Sequence, residues 1–454
     1  MSSSVGVGTV TARFCAGVLG AADGPLPDSV SRAARRSLLN VLGTAVGAAR
    51  APAIAALLTT VGDQRGRGPA AVAGRSELVH PYWAAVIAGT AAHLDDFDDT
   101  HLATVIHPGA AVLGILLAMQ PDRPLSGGRY LTAFALGCET QLRIGNVISP
   151  SHYDRGWHIT GTCGVFGAAV AASVLLGLDR DQLIQALAHA STMTLGHRES
   201  FGSMTKPLHP GKAAANGLLA ARLAAAGASG MADPFGDGGV LGVIADEVDR
   251  QALMHGWDED WELERNTFKP YPCGIVAHPA IDAALEAAAR LSDPAAITSV
   301  DLDCHPLVPE LMGRRQPSDG LQARFSAYHS IAVGLFDGQA GLAQFGDERA
   351  RAPEIAKLRE LITLRPAADC PRDAARIRVS QGGAEPVTAY IPHARGSLER
   401  PLSDEELLAK VDRLVSPVLG AHACAAIDTA VRDLPAAADL TELVATIRPA
   451  VGQP

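Results

Sequence analysis

The chain has 454 residues, of which 48% are hydrophobic and 19% charged, so it holds enough apolar material for a large core, and extensive disorder is excluded. Its formal net charge of −10 gives no attraction to nucleic acid or to an anionic membrane surface, and we expect neither as a partner. An anionic ligand must therefore meet a local cluster of positive groups. Because one core seldom serves a chain of this length, we expect one large domain and one smaller domain.

The cysteines and the N-terminal residues indicate the compartment. The seven cysteines are scattered, without the C-x-x-C pairs that build zinc or iron–sulfur sites, and are interpreted as reduced thiols. Residues 1–10 lack the basic and apolar segments of a signal peptide, so we expect a cytoplasmic protein. Residues 159–178 are uncharged and long enough to span a membrane, but their glycines and alanines suit a buried helix better.

The first half of the chain is predicted to be all-α. From residue 29 to about 256, apolar residues recur at helical spacing between Gly and Pro. Pro108 can begin a helix over 110–119, and Asp179 precedes a second stretch whose apolar residues share one face. A third helix is predicted over 212–226, ending before a glycine. Alanine-rich helices pack closely, so we expect a tight bundle.

The pattern changes after Trp261. Short β-prone segments then follow one another, separated by Pro, Asp or Gly. They are Ile297–Cys304, 361–364, 376–379 and Val387–Ile391. A helix over 278–291 precedes them, so this region is predicted to be a small α+β domain.

Near residue 401 the helical pattern resumes. Ser403 and Glu406 have the spacing of a capping box that opens a helix over 404–414. The fold class is therefore predicted to be mostly α with a smaller α+β domain. One all-helical domain is built from 1–266 and 401–454, and the α+β domain spans 267–400.

Four polar clusters interrupt the apolar helices, where an unpaired buried polar group costs about 1–3 kcal/mol. They lie at 93–101 with the adjoining 107–109, at 156–162, at 203–211 and at 269–279. The first holds four carboxylates, from Asp95, Asp96, Asp98 and Asp99. Such groups repel one another, so they bind cations or have raised pKa values, unless the segment is a solvated acidic loop.

The other three clusters also have two interpretations each. In 156–162, glycines allow a helix N-terminus to approach an anion, or they serve close helix packing, which leaves His158 unexplained. Lys206 in the third cluster binds a carboxylate or acts as a base, or it is a surface lysine. The fourth cluster lies at the predicted domain junction, where clefts are common, or it is a Pro-rich linker.

Two other classes of protein compete with an acid–base enzyme. The run from Asp95 to Asp99 resembles the magnesium motif of helical prenyl-diphosphate enzymes, but no second Asp-rich segment follows it. A non-catalytic helical scaffold would make six histidines incidental, although histidine is the commonest catalytic acid or base. These are His93, His101, His107, His158, His209 and His278.

Taken in order, the clusters resemble the MmgE/PrpD family, which includes 2-methylcitrate dehydratase, cis-aconitate decarboxylase and iminodisuccinate epimerase. The resemblance covers nearly the whole chain. Its most specific motifs are Asp96-Phe97-Asp98-Asp99-Thr100 with His107-Pro108, Trp157-His158-Ile159-Thr160-Gly161-Thr162, Gly202-Ser203-Met204-Thr205-Lys206, and Lys269-Pro270-Tyr271-Pro272-Cys273 with His278-Pro279.

The resemblance implies a homodimer, with the α+β domain as a lid over a cleft that holds a site free of metals and cofactors. It implies a small carboxylic acid as substrate and proton transfer next to a carboxylate. The implied catalytic residues are Asp96, His107, His158, Lys206 and His278. The implied substrate-binding residues are Thr100, Thr160, Lys269, Tyr328 and His329.

Two departures from the family pattern bear on the reaction. Decarboxylase members carry a further histidine shortly after the Lys-x-x-Pro segment, about where this chain has Gly274. A motif that usually reads Phe-Ser-x-x-Tyr has its tyrosine one position early, at Tyr328, and His329 takes the usual place. Dehydration or epimerisation is therefore favoured over decarboxylation of cis-aconitate.

Overall fold

The computed structural model describes residues 8–62, 68–121, 124–254, 256–257 and 259–449. The protein is mostly helical, with a small mixed sheet in its C-terminal region. The helices are α1 (Val10–Asp23), α2 (Asp28–Gly47), α3 (Pro52–Val61), α4 (Pro81–His93), α5 (Pro108–Met119), α6 (Gly127–Ile148), α7 (Ser151–Asp154), α8 (Ile159–Leu176), α9 (Arg180–Ser191), α10 (Thr205–Ala225), α11 (Val240–Ile244), α12 (His278–Ala288), α13 (Leu307–Met312), α14 (Gly320–Ala323), α15 (Ala327–Asp337), α16 (Asp347–Arg351), α17 (Pro353–Glu360), α18 (Asp404–Leu419), α19 (Ala423–Asp433) and α20 (Thr441–Thr446). The strands are β1 (Ala70–Ala71), β2 (Leu78–Val79), β3 (Asp99–His101), β4 (Asn266–Phe268), β5 (Ile297–Cys304), β6 (Ile362–Pro366), β7 (Ala375–Gln381) and β8 (Val387–Ile391).

Several helix boundaries follow from local chemistry, as predicted. Pro108 is the first residue of α5, where its missing N–H costs nothing. Asp179 caps α9 through a complete capping box with Gln182. Ser403 does the same for α18. The structure confirms these helix starts. They were predictable because a capping side chain acts only on residues close to it in the chain.

The predicted start of the third helix is wrong. Helix α10 begins at Thr205 and not at 212, so it includes Pro207 and Pro210. Pro207 lies in the first turn, where backbone N–H groups have no helical partner, and the helix continues through Pro210. Lys206 and His209 therefore lie on the first turns of a helix, not in a loop.

The all-α prediction for the first half is wrong at three short strands. β1 pairs with β2, and β3 pairs antiparallel with β4 so that Asp99 lies opposite Phe268. Three-residue strands are too short to give a periodic signal in the sequence. The β3–β4 pair fixes the acidic segment beside the strand that leads directly to Lys269.

Apolar side chains form two large clusters in the described residues. One combines residues from 12–263 with residues from 411–447, and α18 packs on α2 within it. The other takes its residues from 271–391 and surrounds the four-stranded sheet. In that sheet the order is β6-β5-β7-β8, β5 and β6 are parallel, and α12 packs on β7, β8 and α15. The domain boundaries at 266/267 and 400/401 remain a prediction.

Within the described residues, helix α8 is apolar and long enough to cross a membrane. However, 94% of its apolar window is buried inside the protein. Helices α2 and α3 pass the same test only when they are taken together across a bend of 81°. Such burial is that of a core helix, in line with the sequence-based expectation.

Candidate active site

A pocket lies between the two apolar clusters, and residues of both clusters line it. Part of its lining, here called the polar wall, carries polar side chains, and the remainder, the apolar wall, carries apolar ones. The polar wall is made by Asp96, Thr100, His107, His158, Lys206 and Lys269. The apolar wall is made by Val105, Phe201, Ile275, Val276, Leu311, Met312 and Phe325. The four residues of the predicted mechanism, Asp96, His107, His158 and Lys206, thus come together at one place.

Asp96 lies between two buried lysines. Lys206 Nζ pairs with its Oδ1, and Lys269 Nζ lies 2.8 Å from its Oδ2 and 3.0 Å from its carbonyl oxygen. Burial alone would raise the pKa of the Asp96 carboxyl, but the two ammonium groups hold it well below the ordinary value. The carboxylate is therefore ionised and lies against both lysine side chains, while burial lowers the pKa of Lys206.

Backbone strain accompanies this ion pair. Asp96 has a φ of 50°, in the left-handed region that side chains other than glycine seldom adopt. Such strain persists where the surroundings determine the conformation, and it is frequent at functional sites. Here Lys269 holds the Asp96 carbonyl, and Lys410 Nζ donates to the next carbonyl, that of Phe97, at 2.6 Å.

Asp98 orients the imidazole of His107. Asp98 Oδ1 lies 2.9 Å from His107 Nδ1, while Oδ2 lies 2.7 Å from His93 Nδ1. Thr100 Oγ1 also hydrogen-bonds to His107 Nδ1 at 3.1 Å, and Thr160 Oγ1 accepts from the His107 backbone N–H. These contacts occupy Nδ1, while His107 Nε2 faces the pocket side and lies 3.8 Å from Asp96 Oδ1. A buried carboxylate behind an imidazole is the support that a general acid or base requires.

His158 is the second imidazole of the polar wall. Its Nδ1 lies 2.8 Å from His209 Nδ1, which leaves Nε2 for the pocket. Burial lowers the pKa of His158 well below the ordinary value, and Lys206 lowers it further. His158 is therefore neutral in the empty pocket. An anionic substrate that offsets the Lys206 charge would raise its basicity.

The N–H groups expected to face an anion near Gly161 have other partners. Gly161 N and Thr162 N both donate to the His158 carbonyl oxygen. Gly164 packs against two alanine methyls, from Ala111 and Ala213. In this cluster the packing interpretation of the glycines is correct, while His158 itself lies at the pocket.

Four predicted site residues do not line the pocket. One of them, Thr160, binds the His107 backbone, and the other three have partners elsewhere. His278 is buried, and its Nε2 hydrogen-bonds to the Cys273 carbonyl at 3.3 Å. His329 Nε2 donates to the Gln344 carbonyl and its Nδ1 accepts from Arg359, so both nitrogens are used. The Tyr328 ring lies under the Arg315 guanidinium at 4.1 Å. The structure thus gives these three side chains structural partners and no contact with the pocket.

Four side chains could hold a metal ion by geometry alone. Donor atoms of His93, Asp96, Asp98 and His107 lie within 4.8 Å of one another. Both Asp96 oxygens are already paired with lysine ammonium groups, so a divalent cation there would lie against two positive charges. These four side chains therefore suit a divalent cation poorly. The two lysines beside them suit a bound carboxylate well.

Sequence reasoning missed Lys410, which supports the site from behind. Lys410 is buried on α18 between Leu407 and Leu414, and it donates to Asn40 Oδ1 at 2.7 Å as well as to Phe97. Burial lowers its pKa to about 7. The signal was present, because a lysine on the apolar stripe of a helix needs a buried partner.

The Lys410→Met variant is expected to lose roughly 1–3 kcal/mol of unfolding free energy, because two buried acceptor oxygens lose their donor. Its kcat should also fall, since the strained Asp96 segment loses one support. Urea unfolding and steady-state kinetics measure the two effects. The exposed Lys357→Met on α17 is the matched control and should change neither. Wild-type stability in Lys410→Met would contradict the supporting role.

Comparison with known proteins agrees with this arrangement. Residues 12–249 match the MmgE/PrpD N-terminal domain, and residues 271–435 match the MmgE/PrpD C-terminal domain. The fold and site are thus those of an enzyme that acts on carboxylic acids. The chain belongs to the MmgE/PrpD family.

Similar curated proteins carry one activity in their names. The chain is 27% identical to the cis-aconitate decarboxylase of Mus musculus over 429 residues, which cover 90% of this chain and 88% of that protein. It is 27% identical to the Homo sapiens enzyme over 369 residues, covering 78% and 76%. It is 25% identical to the enzyme of Aspergillus terreus (strain NIH 2624 / FGSC A1156) over 481 residues, covering 98% and 97%.

Proposed function

We propose that the protein is a metal-independent acid–base lyase that moves a proton on the carbon next to a carboxylate of a small di- or tricarboxylic acid. A 2-methylcitrate dehydratase-like reaction is the first candidate. The supporting observation is the convergence of two buried lysines and two imidazoles with Asp96 in one pocket. An iminodisuccinate epimerase-like reaction needs the same groups and is the alternative.

The proposed roles follow from charge. The ammonium groups of Lys206 and Lys269 bind the substrate carboxylate and stabilise the negative charge that builds on it as the α-proton leaves. His158, neutral and with a free Nε2, takes that proton. His107, whose Nδ1 faces Asp98, gives a proton from Nε2 to the leaving hydroxyl and regains it from solvent. The apolar wall keeps water from competing for the reacting carbon.

Decarboxylation of cis-aconitate is the second candidate, because the similar curated proteins carry that name. The structure supplies an argument against it at Gly274, which lines the pocket. A Cβ on residue 274 would lie 2.4 Å from the Met312 sulfur, so methionine fills the space that a histidine at 274 would need. We expect this chain to lack the proton donor that such a histidine would provide.

The Gly274→His variant tests this packing. Because Met312 is fully buried, we expect overpacking to cost roughly 1–3 kcal/mol of unfolding free energy. Adding Met312→Ala should recover much of that loss, giving a coupling energy of about 0.5 kcal/mol or more. Urea unfolding of both single variants and of the double variant measures it. Additive losses would contradict the assigned contact.

The reaction itself is tested by incubating the protein with citrate, 2-methylcitrate, cis-aconitate and iminodisuccinate separately and following each by proton NMR. Dehydration is identified by a vinyl proton from citrate, or by the downfield shift of the 2-methylcitrate methyl signal as the methyl-bearing carbon joins a double bond. Loss of optical rotation identifies epimerisation, and carbon dioxide identifies decarboxylation. Turnover of none of these acids, with turnover of a prenyl diphosphate in magnesium, would overturn the proposal.

A further inference from the structure

A row of imidazole rings runs from the pocket to the protein surface. Its members are His107, His93, His158, His209 and His197 in that order. Successive ring centroids lie 4.5, 5.5, 5.1 and 6.1 Å apart. His107 and His158 line the pocket, whereas His197 is exposed. The proposed acid–base chemistry assigns no task to His209 or His197.

The His158–His209 contact connects the pocket to the outer part of the row. The two Nδ1 atoms are 2.8 Å apart, so one must carry the shared proton and the other must accept it. When the proton is on His158, the His158 Nε2 is bare and faces the pocket, which is the form a base needs. His209 then carries its own proton on Nε2, on the far side of its ring from His158.

Two glycines leave the space that the His209 ring occupies. A Cβ on Gly161 would lie 2.9 Å from the His209 Cβ, and a Cβ on Gly196 would lie 3.0 Å from its Nδ1. Gly196 also has a φ of +111°, and its carbonyl accepts from the His158 N–H at 3.1 Å. Gly196 therefore holds the His158 backbone through its carbonyl and also leaves room for the His209 ring.

His209 does not store the extra proton, because burial, with His93, His197 and Lys206 nearby, lowers the pKa of His209 to about 4. The neighbouring His197 is exposed to solvent and can release a proton to water. The positive charge of Lys206 lies on the pocket side of the row. These features favour transit through His209 over storage on it.

We propose that His209 and His197 relay protons between His158 and solvent, a role that rests on the proposed function. When His158 Nε2 takes the substrate proton, its Nδ1 proton passes to His209 Nδ1, and the His209 Nε2 proton leaves through His197 to water. After product release, His158 Nε2 gives its proton to water, and water reprotonates His209 Nε2 as the Nδ1 proton returns. Each dehydration thus sends one proton from carbon to solvent, and His107 regains from solvent the proton that it gives to the leaving hydroxyl.

The His209→Asn variant separates relay from support. The asparagine amide keeps a hydrogen-bonding group near the Nδ1 position but has no second nitrogen that gains and loses a proton. We expect kcat to fall at least about tenfold, less than the 10²- to 10⁴-fold cost of losing the acid or base itself, while KM stays within about twofold. Wild-type kcat, or a KM rise that matches the kcat loss, would overturn the relay.

The His197→Gln variant tests the solvent-exposed end of the row of imidazole rings. Its kcat should fall and then recover as imidazole buffer is added, since a small base in solvent can replace a surface group. The control is His189→Gln, a half-exposed histidine on α9 outside the row, which should behave as wild type with or without imidazole. A His197→Gln variant that is unaffected, or that imidazole does not restore, would also overturn the relay.

A second readout needs no substrate, so it decides the relay even if the proposed function fails. In protein labelled with 15N-histidine, NMR follows exchange of the His158–His209 hydrogen-bonded proton with water. The relay predicts several-fold slower exchange in His197→Gln than in wild type and His189→Gln. Equal exchange rates in the three proteins would contradict it, whatever the substrate.

Discussion

Replacement of Asp96 by asparagine is expected to abolish most activity and to destabilise the protein. Among the described residues, Asp96 is the carboxylate that both Lys206 and Lys269 contact, and the change leaves the two buried ammonium groups without this counter-charge. Breaking a buried pair in this way typically costs about 3–5 kcal/mol of stability. Because the two ammonium groups lose the carboxylate that positions them, kcat/KM should fall about 10²-fold or more.

The neighbouring Asp95 provides the control for this experiment. Its carboxylate pairs with Arg324 at 2.7 Å and is partly exposed, so Asp95→Asn should cost about 1 kcal/mol or less and leave kcat near wild type. Urea unfolding and steady-state kinetics with the substrate found by NMR measure both variants. Equal effects of Asp96→Asn and Asp95→Asn would show that Asp96 holds no special place in the pocket.

Replacement of His158 by alanine is expected to lower kcat about 10²- to 10⁴-fold, the usual cost of losing a general acid or base. The fold should survive, because a neutral imidazole is removed and no buried charge loses its partner. Lys206→Ala should differ, with a raised KM, because it removes a carboxylate-binding charge. Pre-steady-state and steady-state kinetics separate the two. Near-normal turnover by both variants would reject the assigned roles.

The sequence predicted those parts of the fold that depend on nearby residues. The helix start after Asp179, the capping box at Ser403 and the alternation of Ile297–Cys304 each depend on a few neighbouring residues, and the structure confirms them. The start of α10 was missed because two prolines close together resemble a loop, although a first helical turn accepts proline. Strand β3 was missed because its partner β4 lies more than 160 residues away.

The candidate site was predictable where a polar residue had no other explanation. Asp96, His158 and Lys206 interrupt apolar segments, and the structure brings them to one pocket. His329 is likewise a polar residue in an apolar segment, yet its two ring nitrogens hydrogen-bond to the Gln344 carbonyl and to Arg359. Sequence alone cannot separate a buried histidine with a structural partner from one that faces a ligand. The expected homodimer and the cytoplasmic location stay predictions.

The central claim is that this pocket moves a proton at carbon without a metal ion. Its most direct test is turnover of the identified substrate in deuterium oxide, after treatment with EDTA, followed by NMR. The account predicts that deuterium from solvent enters the carbon next to the carboxylate at the wild-type rate, and that His158→Ala loses this exchange. Exchange that disappears with EDTA and returns with magnesium, or turnover without any exchange at that carbon, would contradict it.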